Sequence, residues 1–181
     1  MTAYVRNPDK LAHVKNDNFK VIRGQLHEQE AMENAVRGQD GVLIALGANT
    51  IWGNDTTCSS GTREIIAAMK KTGVNRMVVC SSWGAGPENR HHVNWFIRWM
   101  LKNVLADKDI QEAEIEKSGL TYTIVRPPRL MDVAARGNLY SCLDQRLAIQ
   151  QISREDVAIF MLQVLKDNSF VNQAPAISWS A

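Results

Sequence analysis

Apolar and polar positions switch repeatedly between two periods along this chain, and the switching predicts strands alternating with helices. Thr2 to Asn7 reads as a short apolar strand that ends in an arginine. Asn7-Pro8-Asp9 marks a turn, with Pro8 suited to a first helical turn and Asp9 to a helix N-terminus, so a short helix is expected over Lys10 to Lys15. Phe19 to Ile22 alternates into a second strand, closed by Arg23-Gly24. Glu28 to Arg37 carries Ala31, Met32, Ala35 and Val36 at helical spacing, with Gly38 as a C-cap. Gly41 to Gly47 is an uninterrupted apolar run, which suits a strand covered on both faces as in a parallel sheet.

The second half continues the alternation. A polar loop, Asn49 to Ser60, leads to a helix over Gly61 to Lys71, ended by Gly73, and Arg76 to Cys80 forms the next buried strand. Gly84-Ala85-Gly86-Pro87 is a loop, followed by an aromatic-rich stretch from His91 to Leu105 and a polar helix from Asp107 to Lys117. Gly119 stops that helix, Tyr122 to Val125 is another strand, and Pro127-Pro128 ends it. Ser153, with Asp156 three residues later, opens a helix in capping-box style that runs to about Lys166. Strand-helix-strand-helix order of this kind implies an α/β fold with a doubly wound parallel sheet.

Composition narrows the function classes. With 181 residues and 20.3 kDa, the chain fits a single domain over 1–181. A net charge of +2 argues for neither nucleic acid nor a membrane surface as partner. The cysteines, Cys58, Cys80 and Cys142, have no metal-ligand spacing and an odd count, and a reducing cytoplasmic compartment is the simplest reading. No run approaches the roughly 18 apolar residues of a membrane span.

Ligands of open parallel sheets bind beyond the carboxyl ends of the strands. The residues to weigh are therefore Arg6, Gly24-Gln25-Leu26, Leu46 to Asn49, Ser81-Ser82-Trp83, and Arg126 to Leu130. This set contains no cluster of acids, which argues against a metal site and against a glycosidase carboxylate pair. Arg6 is either a surface arginine or a partner for a phosphate; no Asp or Glu occupies positions 5–7, and Lys10 lies one turn onward. Gly47 is turn punctuation or a place where backbone passes close to a ligand. Ser81 and Ser82 either cap a turn or offer one hydroxyl to the site. Lys108 reads as a solvated helix lysine. His91 and His92 are adjacent and diverge, so a paired ligand role is not expected. Trp95, Phe96, Trp99 and Met100 ordinarily mean a core-facing helix face; a wall of an aromatic substrate pocket is the alternative. Cys80 is expected to be buried and inert.

Taken together these segments resemble the atypical short-chain dehydrogenase/reductase superfamily, in its NmrA-like NAD(P)H-binding group, and are most similar to the biliverdin-reductase-B/flavin-reductase type. The match is carried by Val5-Arg6-Asn7-Pro8 with Lys10-Leu11, by Gly24-Gln25-Leu26, and by Gly38 to Val42 running into Ala45-Leu46-Gly47. It continues in Val79 to Ser82, Glu116 to Leu120, Tyr122 to Pro128, and Ile152 to Ala158. The resemblance implies a Rossmann-like, three-layer α/β/α fold with a small substrate-side region around 83–106 and 129–150. It implies that Arg6 and Lys10 meet the 2′-phosphate of NADP, preferred over NAD, and that Gln25 and Leu26 flank adenine. Leu46 and Gly47 would follow the adenine-side ribose and phosphates, and Ser81 is a further cofactor-binding candidate. Ser82 would lie near the nicotinamide, with Pro127, Pro128 and Leu130 closing over it. Ser82, Lys108 and Arg129 are the catalytic candidates.

The chain departs from the family pattern. Gln25 replaces an Asp, and Arg129 stands where some members have a histidine after the double proline. The tyrosine of the Tyr-x-x-x-Lys pair would fall at Val104. Loss of that phenol favours acceptors able to take a proton from solvent, such as flavins or quinones. The family's first strand and its glycine-rich turn precede the point where this sequence starts, so the expectation is an N-terminally truncated reading frame whose flanking strands are left with unpaired edges. The expected activity is NADPH-dependent reduction of a small aromatic acceptor by hydride transfer, in a monomer or homodimer. A non-catalytic NAD(P)-sensing regulator, or an inactive truncated fragment, is the alternative.

Overall fold

A computed structural model describes residues 1–50, 52–86, 89, 91 and 93–180. Pro87 and His92, both weighed above, lie outside the described residues. The strands are β1 (Thr2–Val5), β2 (Lys20–Arg23), β3 (Val42–Ile44), β4 (Arg76–Cys80) and β5 (Thr121–Val125), then β6 (Arg129–Met131), β7 (Leu139–Cys142), β8 (Gln151–Ser153) and β9 (Ala176–Trp179). The α-helices are α1 (Gln29–Val36), α2 (Thr57–Thr72), α3 (Trp95–Met100), α4 (Lys102–Glu116) and α5 (Arg154–Asp167). Where Lys10 to Lys15 was expected to be helical there is only a 3-10 turn at Pro8–Leu11, capped by the Asn7 side chain.

The central sheet is β3-β4-β5, all parallel. Its strands are buried on both faces by alternation of successive side chains. Ile44, Met77, Val79 and Ile124 point into a layer with Met32, Val36, Ile66, Met69 and Ile115, contributed by α1, α2 and α4. Val78 and Val125 point the other way, against Val157, Phe160, Met161 and Val164 of α5 and Trp179 of β9. Helices thus cover opposite faces of one parallel sheet, the three-layer α/β/α arrangement that the pattern predicts. Beyond β5, parallel bridges at Thr123–Gln173 and Arg126–Ala176 attach the approach to β9. β7 pairs antiparallel with β9, while β6 pairs parallel with β8. None of these four short strands is visible in the periodicity.

β1 and β2 form a separate parallel pair. Among the described residues β1 pairs with β2 alone and β3 with β4 alone, so no ladder joins the pair to the central sheet. The facing edges of β1 and β3 are unpaired, and the pair is thinly covered, with Val21 of β2 37% exposed. The two groups meet instead through side chains. Arg6 Nη1 reaches Asn49 Oδ1 at 3.5 Å, and Leu26 and Leu46 converge on Gly61 of α2, where a Cβ would lie 2.7–2.8 Å from both.

Helix ends follow local rules. Gly73 closes α2 with φ 76°, a left-handed conformation that costs glycine little. Ser153 caps α5 by accepting from the Asp156 amide at 2.9 Å. The Asp156 carboxylate departs from a capping box: it gathers donors from elsewhere, namely Trp179 Nε1 at 2.8 Å, Ser153 Oγ at 2.8 Å, and the Arg136 and Gly137 amides at 3.0 Å.

Candidate cofactor site

Parallel order places the carboxyl ends of β3, β4 and β5 side by side, and the Arg6–Asn49 bond brings the end of β1 to the same rim. On the β1 side the rim carries Arg6, Lys10 and Gln25, all exposed, and the half-buried Leu26 and Leu46. Arg6 uses one guanidinium nitrogen on a 3.5 Å contact, which leaves its remaining N–H donors directed at solvent. Tyr4 Oη donates to the Gln25 carbonyl at 2.8 Å, and the Gln25 amide donates to Glu28 Oε2 at 3.3 Å. Those bonds fix the backbone of Gln25 and leave its side chain outward. Gly47 is exposed, and a Cβ built on it meets nothing within 4 Å. The fold itself therefore has no use for glycine there, and the space above Gly47 is open to a ligand.

The loop after β3 is organised by Asp55. Its carboxylate accepts from the Asn49 amide at 2.6 Å, the Thr50 amide at 3.1 Å and the Thr57 amide at 2.9 Å. Hydrogen bonds from Thr57 first, then those from the Asn49 and Thr50 amides, hold its pKa at about 2. Asn49 Nδ2 in turn donates to Thr57 Oγ1 at 2.7 Å, so the side chain that meets Arg6 is itself held in place.

On the β4–β5 side, Ser82 is half-buried and its hydroxyl makes one long bond, 3.4 Å to the Trp83 carbonyl. The Trp83 amide donates to the Pro127 carbonyl at 2.8 Å, which ties the residue after Ser82 to the start of the double proline. Arg129 is exposed at the start of β6. Trp83 Nε1 donates to the Gln145 carbonyl at 3.0 Å, and a cavity of about 440 Å³ opens between Trp83 and the segment Gln145 to Gln150. Trp83 and Gln145 to Gln150 come from the two segments, 83–106 and 129–150, that the resemblance assigns to the substrate side.

Two sequence-designated residues prove to belong to the scaffold. The Ser81 hydroxyl is buried and donates to Glu112 Oε1 at 2.5 Å; Glu112 also accepts from Arg126 Nη2 at 2.6 Å and Arg126 Nε at 3.1 Å, forming a buried ion pair. Lys108 is 4% exposed, which corrects its reading as a solvated lysine. Its ammonium donates to the Leu46 carbonyl at 3.1 Å, the Cys80 carbonyl at 3.0 Å and Gln111 Oε1 at 2.9 Å. With its three N–H donors used, it clamps the ends of β3 and β4 together, and a direct part in chemistry requires giving up one of those bonds.

The polar composition of α4 concealed this. Asp107, Lys108, Gln111, Glu112 and Ile115 are all buried, at the spacing of one helical face. Asp107 accepts from the Cys58 amide at 2.9 Å and the Ser59 amide at 3.2 Å, capping α2 from a distance because Thr56 makes no side-chain cap. The i, i+4 recurrence of polar residues was the available signal. Burial pushes the Cys58 and Cys80 thiols up, which keeps them neutral; Cys58 is buried, whereas Cys80, expected to be buried, is half-buried. Among the described residues no group of three or more His, Cys, Asp or Glu could hold a metal ion.

Residues 1–168 match the profile of a family described as NAD(P)H-binding. The chain belongs to that family. Its fold is shared by a short-chain dehydrogenase/reductase from Veillonella parvula solved in complex with NADP, at TM-score 0.80 and 17% identity over 98% of this chain and 81% of that one. ChuY from Escherichia coli, described as an anaerobillin reductase, superposes at TM-score 0.77 with 22% identity over 97% of this chain and 82% of that one. In sequence the chain is 28% identical to an uncharacterized sugar epimerase, YhfK of Bacillus subtilis, over 95% of this chain and 78% of that protein. These relations establish an NAD(P)H-binding family and a Rossmann-like fold.

Proposed function

We propose that the chain binds NADPH and reduces a small aromatic acceptor such as a flavin or quinone, in the cytoplasm. The observation that carries this reading is the rim formed by Arg6, Lys10, Gln25, Leu26, Leu46 and Gly47. The open space over Gly47 fits a ligand backbone, and the free face of the Arg6 guanidinium, with no acidic side chain at 5–7, fits a 2′-phosphate better than a bare ribose. A nicotinamide cofactor supplies a hydride when bound. The protein's part is then orientation: Pro127, Pro128 and Leu130 would confine the ring, Ser82 would offer a hydroxyl with a single weak internal bond, and the cavity beside Trp83 would receive the acceptor. Arg129, exposed at the mouth, would contribute charge.

The acceptor class follows from α4. Val104 lies one turn before Lys108, and Lys108 is bonded to the scaffold, so neither position offers a proton donor to a developing alkoxide. An acceptor protonated by solvent avoids that need. The same observation favours the second reading, a protein that senses NAD(P) without turnover. Titration with NADP and NAD, followed by NADPH oxidation with FMN, riboflavin or a quinone, separates them. Turnover on any of these supports the reductase; tight binding with none supports the sensor. Arg6→Ala should weaken NADP roughly tenfold while leaving NAD unchanged, the size expected for losing a charge-assisted contact of about 1.5 kcal/mol. Equal losses for both cofactors would count against the role given to Arg6.

A further inference from the structure

The aromatic side chains of α3 have no place in the core. In α3, Trp95 is 75% exposed, Trp99 60%, Phe96 52% and Ile97 37%, so the expected core-facing helix stands out from the body with apolar side chains on every side. Phe96 lies between the indoles, edge-on to Trp95 at 6.0 Å and stacked on Trp99 at 6.2 Å. Arg98 and Lys102 share a shallow groove with Trp95, Trp99, Leu105 and Ala106. Neither cation forms an ion pair among the described residues.

Local charge sets this segment apart. α3 and the first turn of α4, residues 95–105, contain Arg98 and Lys102 and no Asp or Glu. Net charge near neutrality therefore conceals a basic, tryptophan-bearing projection. α3 offers exposed Trp95, Phe96, Ile97 and Trp99 with Arg98 and Lys102 along the same groove, which is the chemistry of the bilayer interface: indoles at headgroup depth, Phe and Ile toward the acyl chains, Arg and Lys on anionic lipid.

We propose that α3, with the first turn of α4, docks this protein on an anionic membrane surface. The proposal stands apart from the assignment of the cofactor site, and its test needs no turnover. Wild-type protein is sedimented with phosphatidylcholine vesicles, with or without about one third phosphatidylglycerol. Binding is expected to the anionic vesicles and much less to the neutral ones. Arg98→Gln with Lys102→Gln should lower anionic-vesicle partitioning about 25-fold, each cation contributing about fivefold. Trp95→Ser with Trp99→Ser should lower it by roughly tenfold or more and abolish quenching of tryptophan fluorescence by brominated lipid. Trp52→Ser, exposed in a different loop, should change neither. All these side chains are exposed, and thermal melts should show each variant folded. Absence of wild-type binding to anionic vesicles, unchanged partitioning of the tryptophan pair variant, or an equal loss in Trp52→Ser would overturn the proposal. So would a dimer dissociated by the tryptophan substitutions with partitioning unaltered, since the face would then belong to a second copy of the chain.

Discussion

Asp156→Asn tests the account of the C-terminal region most directly. Asp156 is fully buried at the third position of α5, and its carboxylate is the common acceptor for Trp179 of β9, Ser153 of β8 and the backbone at 136–137. Arg136 also lies over the Trp179 ring, 3.7 Å from its centre, so the same carboxylate organises a cation–π contact. Burial pushes its pKa up, but the hydrogen bonds from Trp179, Arg136, Ser153 and Gly137 together outweigh that, leaving it at about 2 against an ordinary 3.8. A folded pKa below the unfolded one stabilises the protein above the unfolded pKa, and that stability is lost as pH falls through the folded value. The difference amounts to about 2.4 kcal/mol near neutrality, of which about 1 kcal/mol is gone by pH 3. Asparagine keeps the shape but presents an NH2 group to donors that need an acceptor. Urea unfolding followed by tryptophan fluorescence should show a loss of about 2–4 kcal/mol at pH 6. The gap between wild type and variant should narrow by about 1 kcal/mol at pH 3. A gap independent of pH would refute the assignment of the low pKa to these bonds.

Other substitutions probe the rim and the scaffold separately. Gly47→Ala should leave the melting temperature unchanged or slightly raised, by up to about 1 kcal/mol of stability, because the Cβ enters open space. It should also weaken NADP binding measured by calorimetry; unaltered affinity would remove Gly47 from the cofactor path. Glu112→Ala should destabilise by about 3–5 kcal/mol in chemical denaturation, since the Arg126 guanidinium and the Ser81 hydroxyl both lose a buried acceptor. Replacing Glu112 and Arg126 together by methionine should recover most of that loss. Lys108→Met should lower stability by about 2–4 kcal/mol, by leaving the Leu46 and Cys80 carbonyls without their donor. A variant that kept full stability but lost only turnover would return Lys108 to the catalytic set.

The alternation of strands and helices was legible in the chain because burial on both faces turns β3 and β4 into short continuous apolar runs, while one-sided burial leaves a period near 3.6 on α1, α2 and α5. Arg76 to Cys80 was readable to the residue, because every one of its positions is buried or nearly so and both ends are marked by polar residues or a change of period. The strands β6 to β9 were not legible. They are three or four residues long, and partners distant in sequence create them: Arg129 with Gln151, and Leu139 with Trp179. The rim residues were found from strand ends alone, because a parallel sheet collects carboxyl ends on one side whatever the details. Their chemical states were not. Lys108 and Ser82 look alike as candidates in sequence, but one has every donor engaged in a buried clamp and the other a nearly free hydroxyl.

By itself, then, the sequence determined the parallel α/β class, the rim of carboxyl strand ends and the basic character of Arg6 and Lys10, since these depend on local period and residue type. Only the tertiary structure decided that polar residues of α4 are interior and that the tryptophans of α3 face outward. Burial, unlike period, is a property of what packs against a residue. An amphipathic pattern states that two faces differ; it does not state which of them the rest of the chain will cover.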